Sequence, residues 1–104
     1  MTATIGTSTI GTTQVAATSV TGWSATTPCS SGILVSLPAS NSGVTYYRYV
    51  TGPNDTTAAV PIPNGTPYTI NPAGLMQGGS AATLANLFFV ASAASQAFCA
   101  EAIG

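Results

Sequence analysis

Charge is almost missing from this sequence. Of 104 residues only Arg48, Asp55 and Glu101 carry a charged side chain, and there is no histidine and no lysine. Ordinary soluble domains devote about a quarter of their residues to charge. A chain at 3% has little electrostatic repulsion to hold its copies apart, and a net charge near zero favours association. Its outer surface has to be built from Thr, Ser, Ala, Gly and Asn. That suits a subunit whose surface neighbours largely cover; the competing reading is an isolated domain kept soluble by its hydroxyls.

The same scarcity excludes most chemistry. General acid–base catalysis draws on His, Glu, Asp or Lys held at tuned protonation, and here only Asp55 and Glu101 are available. Neither Cys29 nor Cys99 has an imidazole to activate it. Two lone carboxylates do not make a Ca²⁺ or Zn²⁺ site, and the cysteines fit no metal-binding spacing. Gly78-Gly79 lacks the lysine of a phosphate loop. No enzyme, cofactor or metal function is therefore expected. One arginine cannot neutralise a phosphate backbone, so a nucleic-acid partner is not expected either.

The length fits one domain, and the bulky apolar residues concentrate after Ile33. That concentration, with low net charge, argues against disorder. Residues 1–28 form a Thr-rich leader in which Ile5, Ile10, Val15 and Val20 recur every five positions. On a flat strand that interval sends successive apolar residues to opposite faces, and four units are too few for a stacked solenoid. The leader is expected to be an extended arm or edge strand pairing with its own sheet or a neighbour's. It shows neither a basic region nor an apolar run of the signal-peptide kind.

Beyond Trp23 and Pro28, short strands alternate with turns. GILVSL (32–37) has the length of a buried strand, and VTYYRYV (44–50) is rich in β-branched and aromatic residues. In the second, Val44, Tyr46, Arg48 and Val50 share one face while Thr45, Tyr47 and Tyr49 share the other, so both faces are expected to be covered. Residues 58–62 form a weak strand with Pro61 and Pro63 at a sheet edge. Asn64-Gly65 predicts a hairpin into 66–70. The last segment is ambiguous. Leu84, Leu87, Phe88, Ala91, Ser95 and Phe98 lie at helical spacing, yet Phe88-Phe89-Val90 suits a strand. Two strands, near 82–91 and 96–103, are the favoured reading.

The uncharged run 80–100 is long enough to span a bilayer, but its strongly apolar part is only Leu87–Val90 and five polar residues interrupt it, so no membrane partner is expected. Cys29 and Cys99 are expected to be buried free thiols, or to pair if the first and last core strands are neighbours. The expected fold is all-β, a single small antiparallel β-sandwich or barrel-like domain over 29–104 with an extended Thr-rich N-terminal arm. The residues expected to make contacts between subunits are Ile5, Ile10, Val15, Val20, Trp23, Tyr46, Tyr47, Arg48 and Tyr49.

From about residue 22 the order of features is SVTGW, CSSGILVSLPASNSG, a second strand, PIPNGTPYTINPAG, and LFFVAS before a terminal strand. In this order the chain resembles the small β-sandwich decoration, cement and head-fibre-base proteins of tailed-bacteriophage capsids. The resemblance covers roughly 80 residues as a pattern of features and transfers no functional residue, since such proteins act through surfaces. It implies a structural virion protein made in the host cytoplasm. Its place would be the outside of an icosahedral head, and its partners the major capsid protein and copies of itself in a homo-oligomer. The N-terminal arm would be the clamp, adding a strand to a neighbour's sheet edge. The alternative is a secreted or cell-surface β-module that binds glycan, a surface or ice; the Thr-x-Thr triplets at 2–4 and 7–9 suggest the last.

Overall fold

The computed structural model of the chain describes residues 2–49, 59–72 and 82–104. Eight strands run through these residues: β1 (Ala3–Ile10), β2 (Val15–Ala16), β3 (Gly32–Val35), β4 (Thr45–Tyr49), β5 (Val60–Ile62), β6 (Tyr68–Ile70), β7 (Leu87–Ala91) and β8 (Gln96–Ile103). They form two four-stranded antiparallel sheets, ordered β1-β8-β3-β6 and β2-β7-β4-β5. The fold is an antiparallel β-sandwich. Its overall size is 36 × 33 × 20 Å, and the short dimension fits two sheets stacked about 10 Å apart.

The inner faces follow from strict alternation. Phe98, Ala100 and Ala102 of β8, Leu87, Phe89 and Ala91 of β7, and Ile33 and Val35 of β3 all point inward and are buried. At the centre, the rings of Phe89 and Phe98 meet across the sandwich with centroids 4.6 Å apart, and Trp23 packs edge-on against Phe98 at 6.0 Å. Tilted and edge-on aromatic pairs of this kind add about 0.5–1.5 kcal/mol beyond the area they bury.

The segment that could be read as helix is sheet. A 3₁₀ turn, Leu84–Asn86, capped by Thr83 Oγ1, leads into β7, so the first strand begins at Leu87 rather than near residue 82. β7 and β8 are interior strands with a partner on each side. Each is paired along its whole length on one edge and over part of it on the other, which outweighs alanine's modest helix preference.

The leader is part of the sandwich. β1 pairs with β8 over all eight of its residues, from Ala3 against Ile103 to Ile10 against Gln96. Thr2 and Gly104 extend the ladder by exchanging two bonds of 2.9 Å. β2 joins the second sheet through Val15 and Ala16. Residues 3–10 therefore take the edge-strand form expected of the leader, paired with the chain's own sheet. The reason lies on the inner face of β1. Gly6 lies under the indole of Trp23, so close that a Cβ there would come within 2.5 Å of the ring. The indole Nε1 donates to the Thr4 carbonyl at 2.9 Å, and Ile10 is fully buried.

Asn64-Gly65 does not close a hairpin. β5 pairs with β4 in one sheet and β6 with β3 in the other, so the chain changes sheets at this turn. Pro61, Pro63 and Pro67 lack the amide donors that a continuing ladder needs. Gly65 supplies the positive φ of +78°. Asn64 ties the crossing down instead, donating from Nδ2 to the Gly43 carbonyl at 2.9 Å. Gln96, also buried, holds the same region: its Oε1 accepts from Gly43 N at 2.8 Å and its Nε2 donates to the Ala94 carbonyl at 2.8 Å.

Candidate functional site

The features left for contact with other molecules are the two outer faces of the sandwich, and register places their residues. On the first sheet, rows run across the strands: Ala3–Ile103, Ile5–Glu101–Leu34, Thr7–Cys99 and Thr9–Ala97. Ile5 is 60% exposed, the most exposed large apolar side chain among the described residues. Glu101 is the one charged group in these rows, with Ile5 on one side and Leu34 on the other.

On the second sheet the outward residues are Ala16, Phe88, Val90, Tyr46, Arg48 and Pro61. Phe88, Val90, Tyr46 and Arg48 are half-buried. Arg48 stands beside Phe88 in register, and its Nε is shut off from solvent with no hydrogen-bond partner among the described residues. Each face is thus apolar or hydroxylic with a single charge on an interior strand, negative on one and positive on the other. Asp55, the remaining charged residue, lies outside the described residues, as does Val50.

The expected contact residues divide into three groups. Ile10, Val20, Trp23 and Tyr47 belong to the subunit's own core, because each falls on an inward position or, for Trp23, caps Gly6. Val15 and Tyr49 are partly buried and pack against that core. Only Ile5, Tyr46 and Arg48 reach the outer faces. Ile5 outside and Ile10 inside is the alternation that a five-residue interval imposes on a strand. Leu34, Phe88, Val90, Glu101 and Ile103 were missed as surface residues. The alternation in QAFCAEAI and LFFVA carries that signal once each strand's inner face is known.

Tyr47, Tyr49 and Tyr68 face inward and serve the fold. The Tyr47 and Tyr68 hydroxyls are 2.9 Å apart and link the two sheets, and Tyr49 donates to the Asn71 carbonyl at 3.0 Å. Burial, then the hydrogen bond with Tyr68, then the nearness of Tyr49 push Tyr47 well above the ordinary tyrosine range; burial also raises Tyr49. Unfolded tyrosine ionises near pH 10. Above that pH the unfolded chain holds fewer protons than the folded one, so stability falls. The contribution is complete below about pH 10 and is lost as pH climbs toward the folded-state values. Urea midpoints measured between pH 8 and 12 should fall from about pH 10 upward, with tyrosinate absorbance appearing together with unfolding. Ionisation of Tyr47 near pH 10 in a chain that keeps its near-UV dichroism would contradict this.

The cysteines differ from each other. Cys29 is buried and burial raises its thiol pKa, whereas Cys99 is exposed. The expectation of two buried thiols fails at Cys99, since Phe98 and Ala100 occupy the inward positions of β8 on either side of it. Both thiols are free. A groove of about 590 Å³ lies beside Cys99, walled by Leu37, Pro38, Ala39 and Pro67. A disulfide reagent should therefore titrate one thiol per native chain and the second only after denaturation. Two rapidly reacting thiols in the native chain would contradict the burial of Cys29.

The two Thr-x-Thr triplets do not form one array: Thr4 points inward, while Thr7 and Thr9 point outward. Among the described residues no cluster of His, Cys, Asp or Glu could hold a metal, and no helix is long and apolar enough to cross a membrane. No protein-family model matches the chain, and no curated protein or solved structure matches it.

Proposed function

We propose that this protein is a structural subunit that acts through its surfaces, as a decoration or cement protein on the outside of an icosahedral phage head. The observation that carries the structural reading is the pair of broad sheet faces, each apolar or hydroxylic with one charge among the described residues. Contacts on such faces are made by apolar burial and hydrogen bonds. The near absence of acid–base groups in the sequence speaks for the same reading. The capsid setting is supported by the order of features from about residue 22 onward, which resembles that of phage decoration proteins. Its partners are then the major capsid protein and further copies of the chain, and its location is the virion surface.

With residues 3–10 held in the sandwich, attachment falls to the faces rather than to a strand-adding arm. Electron microscopy of purified protein mixed with phage heads lacking decoration, paired with light scattering, tests the reading. Added density on the shell supports it. Specific glycan or ice binding by an isolated monomer, with no affinity for a shell, would overturn it.

A further inference from the structure

The three charged residues of the chain are unusual in number, and the placement of two of them is informative. Glu101 sits on β8, an interior strand of the first sheet, and points outward between Ile5 and Leu34. Arg48 sits on β4, an interior strand of the second sheet, and points outward beside Phe88, with Tyr46 and Val90 one row away. The two lie on opposite sides of the sandwich, so they cannot pair within one chain. Arg48 Nε is nevertheless buried, with no hydrogen-bond partner among the described residues. A half-buried guanidinium on an apolar face costs stability unless something else satisfies it.

We infer that copies of this chain stack head to tail, the Glu101 face of one against the Arg48 face of the next, with a Glu101–Arg48 ion pair formed between subunits. The inference rests on the structural-subunit reading and deepens it by naming a second copy of the chain as the partner of these faces. Charge complementarity selects this arrangement. Stacking either face on its own kind would bring Glu101 near Glu101 or Arg48 near Arg48, and like charges in a desolvated interface are strongly unfavourable. The opposite-face arrangement joins carboxylate to guanidinium, a geometry in which arginine makes two parallel hydrogen bonds.

Size and shape are compatible. A lateral extent of 36 × 33 Å leaves room for the ~800 Å² that each partner contributes to an ordinary stable interface. Ile5, exposed on one face, and the Phe88–Val90–Tyr46 surface on the other supply apolar contacts around the pair. A single ion pair ringed by apolar residues fixes orientation more than it adds affinity. The interface uses different surfaces on its two sides, so it propagates into a ring or a filament rather than a closed two-fold dimer.

Sedimentation velocity on the full chain tests this. Wild-type protein should grow beyond the monomer as concentration rises, and Arg48→Glu or Glu101→Arg should each weaken association by roughly thirtyfold or more. The decisive sample is an equal mixture of those two variants, in which every contact again joins opposite charges; association should return. Monomeric wild type at all concentrations, or a mixture no more associated than its components, would overturn the inference. If Arg48→Glu fails to fold, Arg48→Lys provides a direct readout. A carbodiimide should join the new amine to Glu101 of another chain, found by mass spectrometry in a dimer band, and dimers lacking that link would contradict the arrangement. Wild type that stays monomeric in solution yet adds density to phage heads would sink the stacking alone. Failure of both measurements would remove the structural reading as well.

Discussion

Replacing Trp23 with alanine is expected to remove most of the protein's stability. The indole is 6% exposed, fills the space above Gly6, meets Phe98 edge-on at 6.0 Å, and donates to the Thr4 carbonyl. It therefore fastens the edge strand β1 to the core from one side while β8 holds it from the other. Removing a buried tryptophan costs about 3–5 kcal/mol, against about 5–15 kcal/mol for the whole of a domain this size. The melting temperature should drop by at least about 12 °C. Gly6→Val should act on the same contact from the opposite partner, since its side chain would collide with the ring. A Trp23→Ala protein that melts within a few degrees of wild type would mean that β1 is held by its backbone ladder alone.

Deleting residues 2–10 should have a still larger effect, because it removes a whole strand rather than one ring. The truncated chain loses the eight-residue ladder to β8 and the fully buried Ile10, and it uncovers Trp23. It also leaves β8 as an unpaired eight-residue edge, which invites aggregation. The expected outcome is insoluble protein, or protein without a cooperative unfolding transition. A dispensable arm would behave differently: the truncated protein would keep wild-type dichroism and melting and lose only its attachment to a partner. The two outcomes are distinguished by a single thermal melt.

These two predictions also mark what could be read from the sequence. The all-β class was legible because short apolar runs such as GILV and TYYRY are bounded by Gly, Pro and Asn, a signal local to each strand. The leader was legible as an arm or edge strand, but not as to whose sheet it would join. Nothing within TATIGTSTIG says that its Gly6 lies under a tryptophan 17 residues further along, and this contact favours an edge strand of the chain's own sheet over an arm docked on a neighbour's. Asn64-Gly65 misled for a related reason. A turn signal reports a reversal, but the strands on either side belong to different sheets, and that choice is made by long-range pairing with β3 and β4.

The candidate faces were half legible. Ile5 is legible from the five-residue recurrence and Tyr46 and Arg48 from their residue types, whereas Glu101, Leu34 and Phe88 require knowledge of register. A shift of one residue would exchange the inner and outer sets completely. Tyr47 shows the opposite error. An aromatic in a strand reads equally well as core or contact, and only its hydrogen bond to Tyr68 across the sandwich places it inside.

The measurement that bears most directly on the structural-subunit reading is light scattering on the purified chain across a wide concentration range, alone and with undecorated heads viewed by electron microscopy. A defined species heavier than the 10.3 kDa monomer, or regular added density on the shell, is the predicted result. A chain that remains a lone monomer at every concentration and adds nothing to any shell would contradict it.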